Sequence, residues 1–204
     1  MNTPASSTRL WLALIVAVIG SVVIALVRLY PQPWWNLAGV GALSLFAGAR
    51  LRSWWALLLP LGLMLATDYW LSLSRPDYPF IHQETAFSYG SYAAIFVLGW
   101  CFGQTENPFK LGALAFGSSV LFFLVSNFGS WLNVAVLHTV IPTPGYNDYT
   151  ADLAGLLRCY ENGLPFYRGT LAGDLVFATA LFGAYAVLVR MVGQTEAKTE
   201  EVWS

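Results

Sequence analysis

Charge is what this sequence has least of. Only 10% of its 204 residues are Asp, Glu, Lys or Arg, where a soluble domain carries about 25%, so there is too little polar surface to face water all round. Apolar residues take the place of charge: 57% are hydrophobic, 16% are aromatic and the mean hydropathy is +0.58. In lipid every backbone N–H and C=O must be satisfied within a helix or a closed barrel, and the apolar runs here are too long and unbroken for barrel strands. A net charge of −1 supplies no field to attract nucleic acid. Enzyme signatures are missing too: there is no His-Glu-xx-His zinc motif, no Gly-x-Ser-x-Gly elbow and no Gly-xxxx-Gly-Lys-Ser/Thr phosphate loop. The fold class is therefore all-α, a single polytopic membrane domain over residues 1–204.

The apolar runs predict six spans. Leu10 to Leu29 has the length of about 20 residues that crosses a hydrocarbon core, and Arg28, Tyr30, Pro31 and Pro33 follow it where a cleaved signal would need small residues, so it is read as retained. Leu37 to Ala49 is short, bracketed by Trp34, Trp35 and Asn36 and by Arg50 and Arg52; it must be tilted or pressed into a neighbour. Trp54 to Ser72 contains Pro60, a residue that kinks helices in membranes. Ser88 to Gly103, Leu111 to Leu132 and Gly169 to Val192 complete the set, with Thr170 as a helix cap.

Six spans put both termini on one side, and the Lys and Arg bias makes that side cytoplasmic, in a bacterial inner membrane: Arg9, Arg50, Arg52, Lys110, Arg190 and Lys198 against Arg28, Arg75, Arg158 and Arg168. Of the two cysteines, Cys101 falls near the inner end of the fourth span and Cys159 in an outer loop, where it should be reachable from outside; they should not pair. That loop, 133–168, is long. Pro142-Thr143-Pro144-Gly145 reads as a turn, and Leu153, Leu156, Leu157 and Tyr160 predict a short amphipathic helix stopped by Asn162-Gly163 and Pro165. It is either a lid over a site or a helix lying among headgroups.

Polar residues within the spans are costly and mark function or helix packing. Asp68, Asn127 and Asp174 all lie a few residues inside the outer ends of their spans, in one layer. Asp174 would complement the positive end of its own helix. Asp68, near a helix C-terminus, needs a cation: Arg28 or Arg168 as a structural partner, or a bound ligand. Asn127, Ser130 and Trp131 share a face at helical spacing. Two carboxylates with an indole and an amide favour a cationic or amine-bearing solute with an apolar body. His82 and His138 have no metal-ligand spacing, and no cofactor is expected. In the first span Ala13, Ala17, Ser21 and Ala25 form a small-residue stripe that suits either an intersubunit contact or packing within the chain.

Six spans, the Ala13-xxx-Ala17 stripe, a short second helix and polar residues at the outer ends of the last helices resemble the substrate-binding S-component of energy-coupling factor (ECF) transporters. The chain is more closely similar to an uncharacterised bacterial family of transport-type membrane proteins. The shared residues are Asn36-xxxx-Gly41-Ala42-Leu43-x-Leu45-Phe46-x-Gly48-Ala49, Ser126-Asn127-Phe128-Gly129-x-Trp131, Cys159-Tyr160-x-x-Gly163-Leu164-Pro165-Phe166 and Thr170-Leu171-x-Gly173-Asp174-Leu175. The ECF resemblance implies capture of a vitamin-like solute or a metal ion on the outer side, and release inside through a T-component and ATPase subunits. Ala13, Ala17 and Ser21 would then meet the T-component, and Asn36, Asp68, Asn127, Ser130, Trp131 and Asp174 would bind substrate. The outer loops match no vitamin-specific member, so the substrate does not carry over. A ligand-free structural or assembly subunit and a membrane enzyme using the two carboxylates stand as alternatives.

Overall fold

A computed structural model describes residues 6–30, 37–75, 80–81, 85–139 and 147–203, with side chains as far as residue 195. Within these the chain is all-helical: α1 (Ser6–Leu29), α2 (Val40–Leu51), α3 (Leu58–Ser74), α4 (Thr85–Phe102), α5 (Pro108–Trp131) and α6 (Leu153–Trp203). A 3-10 turn, Trp54–Leu57, leads into α3, and a π-helical turn, Leu132–Val136, continues α5. Five of these stretches, all but α2, are long and apolar enough to cross a membrane. Their outward faces carry large apolar side chains such as Trp11, Ile19, Leu26, Leu58 and Trp70. This is the build of a helical membrane protein.

The 12-residue α2 reaches only about 18 Å, yet it is the centre of the bundle. Every residue in it except Arg50 is buried, and it packs against all five other helices. Small residues make this possible. A Cβ on Gly48 would run into the Phe96 carbonyl of α4, and one on Gly99 of α4 would run into the Leu45 carbonyl of α2, so the two backbones touch. The short segment is thus pressed into neighbours on every side.

The stripe on α1 is closed in the same way. Ala13 and Ala17 are 0% exposed in the chain's own core, Gly20 abuts Leu181 of α6, and Ser21 donates to the Ala17 carbonyl of its own helix at 2.7 Å. This corrects the partner-interface expectation for Ala13 and Ala17, whose small side chains let α6 and α2 approach and are used up inside the chain; Ser21 is part-buried. Pro60 sits in the first turn of α3, after the 3-10 turn, where its missing N–H needs no partner.

The largest correction concerns α6. Residues 153–203 form one helix through Asn162-Gly163 and Pro165, so the outer amphipathic segment and the last span are continuous. Pro165 forfeits a single backbone bond, whereas the inward positions Gly155, Cys159, Gly163, Thr170 and Asp174 hold one packed stripe across it. Tyr160 donates to the Leu124 carbonyl of α5 at 2.9 Å, and a Cβ on Gly163 would meet the Asn127 amide. Tertiary packing overrides the local stop signal. The cap is Asp152, which accepts from the Gly155 N–H at 2.8 Å; Thr170 instead donates to the Phe166 carbonyl within the helix at 3.4 Å. Leu153 and Leu157 point outward from this segment. At the opposite face Asn107 caps α5, accepting from Phe109 and Lys110, with Pro108 at the first helical position.

Ser6 of α1 and Tyr185 of α6 border one cavity, while Arg28 of α1 and Thr170 of α6 border another. The start of α1 and the later part of α6 therefore lie at one face, called proximal below, and the opposite face is distal.

Candidate functional site

The distal cavity, ≈ 450 Å³, is of the size that holds a small organic ligand. All six helices contribute: Arg28 from the last turns of α1, Gly41 from the start of α2, Asp68 from α3, Tyr89 from α4, Asn127 and Ser130 from α5, and Asp174 from α6. Span-end arithmetic placed Asp68, Asn127 and Asp174 in one layer, and together with Ser130 they line this one space.

Its carboxylates are both engaged. Arg28 donates to Asp68 at 2.7 Å, with side chains 15% and 6% exposed, and also to Thr67 at 2.5 Å. The Tyr89 hydroxyl donates to the other Asp68 oxygen at 2.9 Å. The arginine that ends α1 thus answers the acid that the α3 dipole disfavours.

Asp174 does something else. It lies deep in α6, far from that helix's start, and is 2% exposed. It accepts from the Ala42 N–H at 3.0 Å, from the Gly41 N–H and from the Ser119 hydroxyl at 2.8 Å. The residue in the N-cap position of α2, Gly39, makes no side-chain cap, so Asp174 caps the buried helix from across the bundle and meets its positive end. A Cβ on Gly41 would fall at 2.6 Å from the Asp174 carboxylate. The expectation that Asp174 complements its own helix is corrected accordingly.

What remains of the wall is amide, hydroxyl and ring. Asn127 donates to the Phe123 carbonyl at 2.8 Å and lies against Gly163; Asn162 and Thr170 border the space beside it. Tyr92 stacks on Phe122 with centroids 5.0 Å apart, and Phe123 meets Tyr167 at 4.8 Å. Trp131 is outside the lining: its indole donates to the Thr150 carbonyl at 3.0 Å and ties α5 to the segment before α6. Asn36, His82 and the 142–145 turn lie outside the described residues.

Cys159 is buried and donates to the Asn127 carbonyl at 3.3 Å, which corrects the expectation that it is reachable from outside; Cys101 is the exposed thiol. Among the described residues no group of His, Cys, Asp and Glu is placed to hold a metal ion.

Sequence reasoning did not single out Tyr89, Tyr92 and Phe122 as lining residues, because an aromatic in an apolar run carries no polar signal. Asn162 was legible only as a helix stop, although it sits three residues after Cys159 on the same inward face. No curated protein and no solved structure matches the chain. A family profile does match, over residues 6–197, and by that match the chain belongs to a family of unknown function (DUF6580).

Proposed function

We propose that this protein is a solute-binding integral membrane subunit of a transporter, and that the distal cavity takes up a small ring-bearing solute, uncharged or zwitterionic. The observation that supports this is a partly open cavity of ≈ 450 Å³ whose described ionic groups are already answered within the chain. With Asp68 paired and Asp174 spent on α2, both carboxylates among the described lining residues are already engaged. Discrimination falls to Asn127, Ser130, Asn162 and Thr170 as hydrogen-bonding groups and to the tyrosine and phenylalanine rings as stacking surfaces. A zwitterion would add one contact to each member of the Arg28–Asp68 pair.

In this reading α2 counts as a buried sixth crossing, the proximal face with Arg9, Arg50, Arg52, Lys110 and Arg190 is cytoplasmic, and the distal cavity faces out. The likeness to ECF S-components fits this layout, with a T-component and ATPases as the energy-supplying partners; the α1 alanines no longer supply their contact. A ligand-free assembly subunit is the second reading, favoured by the structural use of both carboxylates.

Thermal melting of detergent-purified protein against panels of cationic, zwitterionic and neutral ring compounds tests the proposal. Stabilisation by a neutral or zwitterionic compound, lost in Asn127→Leu or Ser130→Leu, is the expected result. Stabilisation confined to cationic amines, or by no compound at all, contradicts it.

A further inference from the structure

The proximal cavity is the electrostatic opposite of the distal one. It measures ≈ 530 Å³ and among the described residues is bordered by Arg9, Arg50 and Arg52 against one acid, Glu106, with Ser6 and Ser7 at its edge. Arg50 is fixed: it donates to the Gly103 carbonyl at 3.0 Å and to the Thr105 carbonyl at 2.8 Å, and its guanidinium lies 5.1 Å from the Phe182 ring centre and 5.3 Å from that of Tyr185. Arg52, in the left-handed position that ends α2, rests over Trp100 at 5.9 Å. Arg9 makes no hydrogen bond or ion pair with any described residue. The Nε atoms of both Arg9 and Arg50 are buried without a hydrogen-bond partner among the described residues.

Two buried guanidinium Nε donors without a partner among the described residues point to an acceptor from outside them, and guanidinium forks match the geometry of phosphate oxygens. α2 contributes as well as the arginines. Its C-terminus points into this cavity, and Arg50 and Arg52 more than offset the negative end of its dipole. Trp11, Trp54 and Trp55 are exposed within two or three residues of Arg9 and Arg52, which sets the cavity at the depth where indoles mark the membrane interface. Basic pockets between membrane helices at that depth receive anionic headgroups.

We infer that the proximal cavity is a second, independent site, which binds an anionic phosphate group between Arg9, Arg50 and Arg52. An anionic phospholipid headgroup and a free phosphate share this chemistry, and the test separates them. Delipidated protein in detergent is titrated with dioctanoyl phosphatidylglycerol, dioctanoyl phosphatidylcholine and inorganic phosphate, with native mass spectrometry as the readout, for wild type, Arg9→Gln and Arg9→Lys. Arg50 is left intact because it holds the α4–α5 connection.

One equivalent of phosphatidylglycerol should bind at least tenfold more tightly than phosphatidylcholine. Arg9→Gln should weaken that binding about tenfold or more, and Arg9→Lys should restore part of it, with melting temperatures unchanged. Displacement of phosphatidylglycerol by inorganic phosphate at comparable concentration supports the same site with a free anion as its ligand; no displacement supports the lipid. Equal binding of phosphatidylcholine and phosphatidylglycerol, or indifference to Arg9→Gln in a protein that melts as wild type, overturns the inference.

Discussion

The two ends of the bundle use charge in opposite ways. At the distal end Arg28 and Asp68 close on each other at 2.7 Å, and Asp174 is wrapped by two α2 N–H groups and the Ser119 hydroxyl. At the proximal end, among the described residues, three arginines share a cavity with one acid, and two of their Nε donors go unanswered. The same short helix joins the two, with a carboxylate at its N-terminus and arginines at its C-terminus, the polarity its dipole favours. Distal charge is therefore structural and, in the function proposed above, leaves ligand selection to amides and rings, while at the proximal end two buried Nε donors have no partner among the described residues.

The strongest way to break this contrast is to remove the distal cap. Asp174→Ala takes the acceptor from the buried Gly41 and Ala42 N–H groups, while the Ser119 hydroxyl keeps its bond to the Ala115 carbonyl at 3.3 Å, and should cost about 3–5 kcal/mol of stability. Asp174→Asn keeps one acceptor oxygen and should cost about 1–2 kcal/mol. Thermal or denaturant unfolding in detergent reads both; wild-type stability in Asp174→Ala would show that α2 does not depend on this acid.

Asp68 comes next. Asp68→Asn leaves Arg28 largely buried without its counter-charge, for an expected loss of about 2–3 kcal/mol. The double replacement Arg28→Met with Asp68→Leu should recover to within about 1 kcal/mol of wild type. Equal damage in the single and double variants would mean that the pair is not the unit that matters.

The helix between the two ends can be disturbed without touching any charge. Gly48→Ala forces α2 and α4 apart at the Phe96 carbonyl, at a cost of about 2 kcal/mol. Gly62→Ala, where a Cβ meets nothing within 4 Å, is the control and should be neutral or slightly stabilising. Unfolding midpoints of the two variants give the comparison.

The smallest effect belongs to Asp152, the exposed cap of α6. The Thr150 hydroxyl, and then the Gly155 N–H, hold its carboxyl below the ordinary value of 3.8. A depressed value in the folded state means that its contribution is fully present above the unfolded pKa of about 3.9 and is lost as pH falls through the lower folded value. Hydrogen exchange at the Gly155 amide should therefore quicken, relative to its intrinsic rate, only on acidification below that range. Asp152→Asn should cap without this pH dependence, and Asp152→Ala should lose protection at every pH.

Much of this was legible in the sequence. Long apolar runs give the helices, and counting residues from span ends brings Asp68, Asn127 and Asp174 to one level. Arg28, sitting at the end of one run, is already a named partner for Asp68. The failures share one cause, which is that the deciding contact is remote in sequence. The Asp174 bond to Ala42 joins residues 132 positions apart, and nothing near Asp174 announces that a short helix elsewhere needs a cap. Asn162-Gly163 and Pro165 read locally as a stop, yet Gly163 is small because Asn127 lies against it. Trp131 has the right spacing for the polar face of α5, but the Thr150 carbonyl draws its indole away from the cavity.

The most direct test of the central claim is whether the distal cavity holds a solute when the protein leaves its own membrane. Wild type and Ser130→Trp, a substitution that fills the cavity, are extracted gently and compared by native mass spectrometry, with melting curves confirming that both are folded. We expect a discrete small molecule on wild type, neutral or zwitterionic when released and identified, and none on Ser130→Trp. A bare wild-type protein, or the same molecule retained equally by both, would contradict solute binding at this site.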